Sequence, residues 1–157
     1  MLLRGTWIIL KFVKDKTNLL NHNQWSCCRY LNNITGFTLY GTTIATPTEN
    51  YLIVTNSSSN AYTQIYFNHE LTSEDWGKTI TLTANIRAVN THITQQFSID
   101  GKWAAGVTVN ISDDFQKVIL TKQVPENSQI LKVNWAVTGE EDLIHEFFLE
   151  SISLNIQ

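Results

Sequence analysis

The segment Thr79–Ala88 alternates strictly between polar and aliphatic side chains. A period of two places all the aliphatic residues on one face of a β-strand, whereas a helix of 3.6 residues per turn would scatter them around its axis. The segment therefore predicts a strand with one face in a core, and Asn85 and Arg87 lie on the other face. The aliphatic residues are Ile80, Leu82, Ala84, Ile86 and Ala88.

The same alternation recurs in several further segments. In Tyr62–Phe67 the side chains of Tyr62, Gln64 and Tyr66 oppose those of Thr63, Ile65 and Phe67, and in Ile130–Val137 the core face holds Leu131, Val133, Trp135 and Val137. Ser98, Lys132 and Asn134 are also expected on non-core faces. We predict additional strands at Trp7–Val13, Gly36–Tyr40, Tyr51–Thr55, Thr94–Ile99, Gly106–Ile111, Gln116–Val124 and Phe147–Ile156.

Turn-forming residues separate these segments at short intervals, as in 56–60, 100–102, 112–114, 125–128 and 139–142. Composition agrees, because the chain holds 19 Thr and 15 Asn, residues that favour strands and turns respectively. Short strands with frequent turns indicate an all-β sandwich or barrel. A chain of 157 residues is long enough to form one such domain with its own core.

Several function classes are disfavoured by charge and by missing motifs. The net charge is -3 without a basic stripe, so nucleic acid is not an expected partner, and no apolar run is long enough for membrane insertion. Lys11 interrupts the apolar start of the chain, so no signal peptide is expected. The acidic residues cluster in turns, and no nucleophile elbow, HExxH motif or phosphate-binding glycine loop occurs. We therefore expect no enzymatic activity.

Four segments in order resemble the jelly-roll carbohydrate-binding modules of bacterial polysaccharidases and phage tail and baseplate proteins. Asn18–Asn21 resembles their opening "NLL-N", and 77–88 resembles their "GKTYTLSAYVKA" strand. Residues 114–121 resemble "EWQKVSLT", with Phe115 in place of Trp, and 148–154 resemble the closing "YIDDVKLE". The resemblance implies an antiparallel β-sandwich of jelly-roll, galactose-binding-like type for residues 18–157. An immunoglobulin-like sandwich is the alternative.

The chain departs from the family where many members bind a structural calcium. The stretch His22–Trp25 has no carboxylate, and Glu150 stands where the family has an Asp. We therefore expect no cofactor, with calcium as the alternative and Glu150 as its one candidate ligand. Residues 1–17 lie outside the resemblance and are expected to form an extra edge strand or the end of a preceding domain.

The resemblance implies non-catalytic binding of an oligo- or polysaccharide. The setting it suggests is a phage tail or baseplate protein that recognises its host through cell-wall polysaccharide, as part of a larger polypeptide or assembly in the virion or outside the cell. Two alternatives stay open: a structural or protein–protein interaction domain of a virion or surface protein, and a targeting module of a glycan-degrading enzyme.

Sugar binding needs aromatic rings for the C–H faces of a pyranose and fixed polar groups for its hydroxyls. A set of aromatic and polar residues on non-core strand faces meets this need, and Trp103, in a loop bounded by Gly101 and Gly106, offers a further stacking surface. We expect the strand residues on the open face of one sheet, with Trp103 closing one end of the site. The predicted site consists of Tyr62, Gln64, Tyr66, Asn85, Arg87, Gln96 and Trp103.

Overall fold

The structure is a computed structural model that describes residues 6–8, 36–57, 62–137 and 143–157. Within these ranges the chain forms eleven β-strands and no helix. The strands are β1 (Thr6–Ile8), β2 (Thr38–Tyr40), β3 (Thr43–Pro47), β4 (Leu52–Asn56), β5 (Thr63–Glu70), β6 (Thr79–Ala88), β7 (Ile93–Ile99), β8 (Lys102–Val109), β9 (Gln116–Gln123), β10 (Ile130–Val137) and β11 (Glu146–Ile156).

The strands form two antiparallel sheets. The six-stranded sheet has the order β3-β4-β11-β6-β9, with β1 paired to a further stretch of β11. The five-stranded sheet has the order β2-β5-β10-β7-β8. This confirms the predicted antiparallel jelly-roll sandwich. No helix in the described part of the chain has the length and apolar character needed to cross a membrane.

The core lies between the two sheets and consists of the aliphatic and aromatic faces that alternation predicts. Ile65 pairs with Trp135 in the five-stranded sheet, and both side chains are fully buried. Trp135 satisfies its indole N–H inside the core by donating to Gln95 Oε1 at 2.7 Å. Each large apolar side chain buried in this way contributes about 1.5–3 kcal/mol to stability.

The predicted strand bounds hold for most segments and fail at two. The sequence does not predict β3, which lies at an edge of the six-stranded sheet, where its terminal Pro47 is tolerated because the edge leaves one side unpaired. β8 begins at Lys102, before the predicted Gly106, because a two-residue turn joins it directly to β7. Asp100 and Gly101 make this turn with φ angles of 49° and 77°.

The start of the chain is described only at Thr6–Ile8, which pairs with Leu154–Ile156 of β11. The rest of the predicted strand Trp7–Val13 lies outside the described residues, as do the segments Asn18–Asn21 and His22–Trp25. The division at residue 17 therefore stays a prediction.

Candidate functional site

The outer face of the five-stranded sheet, here called the open face, carries a row of side chains that runs straight across all five strands. The strand registers pair Tyr66 with Asn134, Asn134 with Gln96 and Gln96 with Gly106, while Thr38 extends the row beyond Tyr66. We call this the central row. With strands about 4.8 Å apart, the distance from Tyr66 to Gly106 is about 14 Å. The row is thus longer than a single sugar ring.

Two further rows flank the central row. Because side chains on one strand face recur every second residue, the registers place polar and aromatic groups on both sides of it. One flanking row consists of Tyr40, Gln64, Ala136, Thr94 and Thr108, and the other consists of Asn68, Lys132, Ser98 and Trp103. The open face therefore combines amides, hydroxyls, aromatic rings and one ammonium group.

Trp103 lies on strand β8 and not in a loop, which corrects the sequence prediction. Its indole is 68% exposed. The ring lies beside Gly106, since its Cζ2 atom is 3.5 Å from the position that a Cβ of residue 106 would occupy. The same position is 3.5 Å from Cβ of Gln96. The glycine therefore leaves room for an exposed indole at one end of the central row.

Asn134 lies in the middle of the central row and is fully buried. Within the described residues, neither its Oδ1 nor its Nδ2 has a hydrogen-bond partner. Leaving a buried polar group unpaired costs about 1–3 kcal/mol. Neighbouring Gln64 is also buried, at 5% exposure, so the amides of the open face are held in place by their surroundings.

Lys132 lies two residues before Asn134, on the same face of β10. Its Nζ atom is 3.9 Å from the centroid of the Tyr66 ring, which is a cation–π contact. Partial burial lowers the pKa of the Lys132 ammonium below its usual value. The ammonium thus covers one of the rings that the sequence predicts for stacking.

Tyr62 precedes β5 and packs edge-on against Tyr40, with ring centroids 5.6 Å apart. Burial, and secondarily the neighbouring Tyr40 hydroxyl, raise the pKa of Tyr62 above its usual value. Tyr40 itself is exposed. This pair adds an aromatic edge beside β2, at the end of the sheet opposite Trp103.

The structure separates Asn85 and Arg87 from the other predicted site residues. Both lie on β6, in the six-stranded sheet, so the prediction of one common face is wrong for them. Asn85 donates a hydrogen bond to Glu150 at 3.1 Å, and the Arg87 guanidinium lies 5.3 Å from the centroid of the Phe148 ring. Alternation predicts their outward orientation, but it does not tell which of the two sheets a strand joins.

The five-stranded sheet does bring Gln64, Tyr66, Gln96 and Trp103 to one face, with Tyr62 beside it. The sequence places Lys132 and Asn134 on a non-core face but leaves them out of the site, and it misses Tyr40. The signal for Lys132 and Asn134 is present in the alternation of Ile130–Val137. No comparable signal marks Tyr40, because β2 has only three residues.

The candidate calcium ligand Glu150 accepts the hydrogen bond from Asn85 and lies on the six-stranded sheet, away from the open face. Within the described residues, no three His, Cys, Asp or Glu side chains come together in a group that could hold a metal ion. Glu150 supplies at most two of the six to eight oxygen ligands that calcium prefers, so calcium at this position stays an alternative.

Comparisons with known proteins identify the architecture. No protein-family model and no curated protein sequence matches the chain. Among solved structures, it is similar to the enzymatically active domain of tailspike protein 4 of bacteriophage CBA120, with 14% identity and a TM-score of 0.62. The match covers 80% of this chain and 20% of that one.

Two carbohydrate-binding modules match over nearly their full length. A CBM4 structure has 14% identity and a TM-score of 0.63, over 78% of this chain and 95% of that one. TmCBM61, solved in complex with β-1,4-galactotriose, has 10% identity and a TM-score of 0.58, over 80% and 92%. The chain thus has the fold of jelly-roll carbohydrate-binding modules, as the sequence resemblance implies.

Proposed function

We propose that the protein is a non-catalytic carbohydrate-binding module and that its open face binds an oligo- or polysaccharide. The single observation that carries the proposal is the exposed Trp103 indole at the end of the row of Tyr66, Asn134 and Gln96. Aromatic rings at both ends match the apolar faces of sugar rings, and the amides between them match the hydroxyl rim.

The amides are suited to hydroxyl recognition because they lie on strands and are largely buried. A sugar hydroxyl gives up good hydrogen bonds to water, so only polar groups that are already held in place return a net gain. Among the described residues, neither amide atom of Asn134 has a hydrogen-bond partner, so a ligand that reaches this side chain breaks no described hydrogen bond of it. Its side chain is fully buried in this structure, so binding requires that the groups covering it move aside.

The similar solved structures support this proposal through their fold and their settings. TmCBM61 was solved with a galactotriose, and the tailspike belongs to a phage. We further propose that the module works in a phage tail or baseplate protein and adheres to cell-surface polysaccharide of the host. This chain spans only a fifth of the tailspike chain, so the module would act as one part of a larger assembly.

Binding is tested with a glycan array that carries β-1,4-linked glucan, xylan and galactan oligosaccharides together with purified bacterial cell-wall polysaccharides. The affinity of the double variant Tyr66→Ala/Trp103→Ala is then measured by calorimetry. Each ring contributes about 1 kcal/mol if sugar stacking resembles aromatic pairing, so the double variant binds about 30-fold more weakly. Assays for released reducing sugar are expected to stay negative.

Tyr51→Ala is the matched control, because Tyr51 is an aromatic residue on the outer side of the six-stranded sheet, stacked on Phe148 at 5.0 Å. The Tyr51→Ala variant is expected to bind the glycan with wild-type affinity. Wild-type affinity in the folded Tyr66/Trp103 variant, or no saccharide bound at all, would overturn the proposal.

A structural role is the second candidate function, and the outer face of the six-stranded sheet favours it. Ile44 and Ile119 are exposed there at 45% and 53%. Their apolar surface suits a contact with another protein of an assembly. The test combines the glycan array with the variant Ile119→Lys. The structural role is supported if the wild-type protein binds no saccharide on the array and Ile119→Lys no longer associates with the other proteins of the assembly.

A further inference from the structure

We propose that the open face selects an anionic saccharide, one that carries a carboxylate or phosphate, and that Lys132 pairs with the negative group. The inference rests on the proposed saccharide-binding function and names its ligand class. Lys132 lies on β10, the middle strand of the five-stranded sheet, in the flanking row of the open face that also holds Trp103.

The positive charge of Lys132 is not compensated within the described structure. Its cross-strand neighbours are Asn68 and Ser98, both neutral. No carboxylate among the described residues shifts its pKa, and burial alone accounts for the change. A cation that is partly removed from water and lacks a negative partner is available to an anion supplied by a ligand.

Carboxylates are absent from the three rows of the open face described above. Glu70 is the first acid beyond them, at the far end of β5, where it pairs with Ile130. The nearby hairpin residue Asp100 uses its Oδ1 atom to accept hydrogen bonds from the backbone N–H groups of Gln129 and Ile130, at 3.0 and 2.9 Å. Although the chain has a net charge of -3, the Lys132 ammonium is the only charged side chain in these three rows.

Asn134 supplies a second donor next to Lys132. The two residues are separated by two positions on one strand, which places their side chains about 7 Å apart along the same face. The Nδ2 group of Asn134 is buried and has no acceptor among the residues described. An acidic sugar residue lying between them is large enough to reach the ammonium with its charged group and the amide with a hydroxyl.

The contact between Lys132 and Tyr66 makes the selection depend on charge. The ammonium lies over the ring that a sugar would use for stacking. A neutral sugar that displaces it loses the cation–π contact and offers no charge in return. An anionic sugar forms an ion pair with the Lys132 ammonium, which then moves off the Tyr66 ring and leaves the ring free for stacking. Because the ion pair replaces the lost cation–π contact, the anionic sugar binds more favourably than the neutral one.

The test compares polygalacturonate, a glycerol-phosphate teichoic acid and carboxyl-reduced polygalacturonate, in which each carboxylate has become a primary alcohol. We expect the wild-type protein to bind at least one of the two anionic polymers and, where polygalacturonate is bound, to prefer it over its reduced form. Comparing binding of polygalacturonate with binding of the teichoic acid shows whether a carboxylate or a phosphate is recognised. Affinity is expected to fall as salt is raised, because screening weakens the ion pair.

Lys132→Met keeps the aliphatic stem and removes the charge. We expect it to weaken binding of the anionic polymer about tenfold or more, which is the effect of one charge-assisted hydrogen bond, and to leave binding of the reduced polymer unchanged or stronger. Lys132→Arg is expected to restore most of the affinity. The control is Lys117→Met, which removes the same charge from the outer side of the six-stranded sheet.

The outcomes separate the two proposals. The inference is overturned, and saccharide binding left standing, if polygalacturonate is bound no more tightly than its reduced form is bound, or if Lys132→Met leaves binding of the anionic polymer unchanged. Binding of array glycans without binding of either anionic polymer also overturns it. Equal losses in Lys132→Met and Lys117→Met also overturn it, because they indicate only an effect of net charge. No binding to any polymer here or to any glycan on the array overturns both proposals.

Discussion

Gln95 and Asn134 are both buried amides of the five-stranded sheet, and they lie on opposite faces of it. Gln95 faces the core, where its Oε1 atom accepts the indole N–H of Trp135. Asn134 lies on the other face and has no partner for either amide atom in the part of the chain that the structure describes. The amide of Gln95 therefore stabilises the fold, whereas burial of the unpaired Asn134 amide costs free energy.

Replacing these two residues by apolar side chains of similar size should have opposite effects on stability. Asn134→Leu is expected to leave the free energy of unfolding unchanged or to raise it, because an unpaired buried amide is removed. Gln95→Met is expected to lower it by about 1–3 kcal/mol, because the Trp135 N–H loses its acceptor. Chemical denaturation followed by circular dichroism measures both.

Binding of the glycan identified on the array provides the second measurement. Asn134→Leu is expected to reduce it strongly while the protein stays folded. A loss of several kcal/mol of stability in Asn134→Leu would contradict the interpretation, since it would mean that the amide is already satisfied in the free protein.

At the scale of elements, the β7–β8 hairpin positions Trp103. Asp100 and Gly101 both adopt positive φ angles in its turn, and this brings β8 back beside β7 after only two residues. Asp100 also connects the turn to the start of β10 through its two backbone hydrogen bonds. The indole is thus attached to a rigid hairpin and not to a long loop.

The two glycines of this hairpin should respond differently to substitution. Gly106→Val places branched carbons beside the Trp103 ring, because a Cβ on residue 106 would already lie 3.5 Å from Cζ2. We expect it to displace the indole and weaken glycan binding while stability is retained, since valine favours strands. Gly101→Ala is expected to cost about 1–2 kcal/mol of stability, because residue 101 has a φ of 77°.

Calorimetric affinity and thermal melting together check this pair. Wild-type affinity in Gly106→Val would show that the position of the indole is not important for binding. Unchanged stability in Gly101→Ala would show that the turn relaxes to another geometry without cost.

Alternation of polar and aliphatic residues predicts where a strand begins and ends and which of its faces is buried, but not which sheet the strand joins. The ten-residue alternation of Thr79–Ala88 predicts both the bounds and the inward face of β6, because burial of aliphatic residues dominates there. The same pattern cannot assign Asn85 and Arg87 to a sheet, since each sheet of a sandwich has its own outer face. That assignment depends on pairing between residues far apart in sequence, such as Asn85 with Ser151.

Short edge strands are the other difficulty. β3 has five residues and ends in a proline, so its alternation is too brief to distinguish from a turn. The sequence predicts a loop around Trp103 because Gly101 and Gly106 bracket it. Only Gly101 takes part in the turn, while Gly106 lies within β8 and provides space for the indole.

At the scale of the whole molecule, one face of the five-stranded sheet contributes to stability and the opposite face carries the proposed binding site. Ile65 and Tyr66 are neighbours on β5 and point in opposite directions. Ile65 is fully buried between the sheets, whereas Tyr66 lies on the open face under the Lys132 ammonium. Adjacent residues therefore contribute to different properties of the protein.

Alanine substitutions at these two positions should separate the properties. Ile65→Ala leaves a cavity between the sheets and is expected to lower the free energy of unfolding by about 2–5 kcal/mol. Tyr66→Ala is expected to change stability much less and glycan binding more. Urea denaturation and calorimetric titration of both variants test this, and a large loss of stability in Tyr66→Ala would show that the open face contributes to the fold.

The central position of β11 has a consequence for how the protein is made. β11 is the last of these strands to leave the ribosome, yet it lies between β4 and β6 in the finished sheet. Until β11 has been synthesised, β4 and β6 each have an unpaired edge, because β11 lies between them in the finished sheet. The sandwich is therefore completed only after synthesis of β11, and the nascent chain depends on slow, long-range pairing during the period when exposed edges favour aggregation.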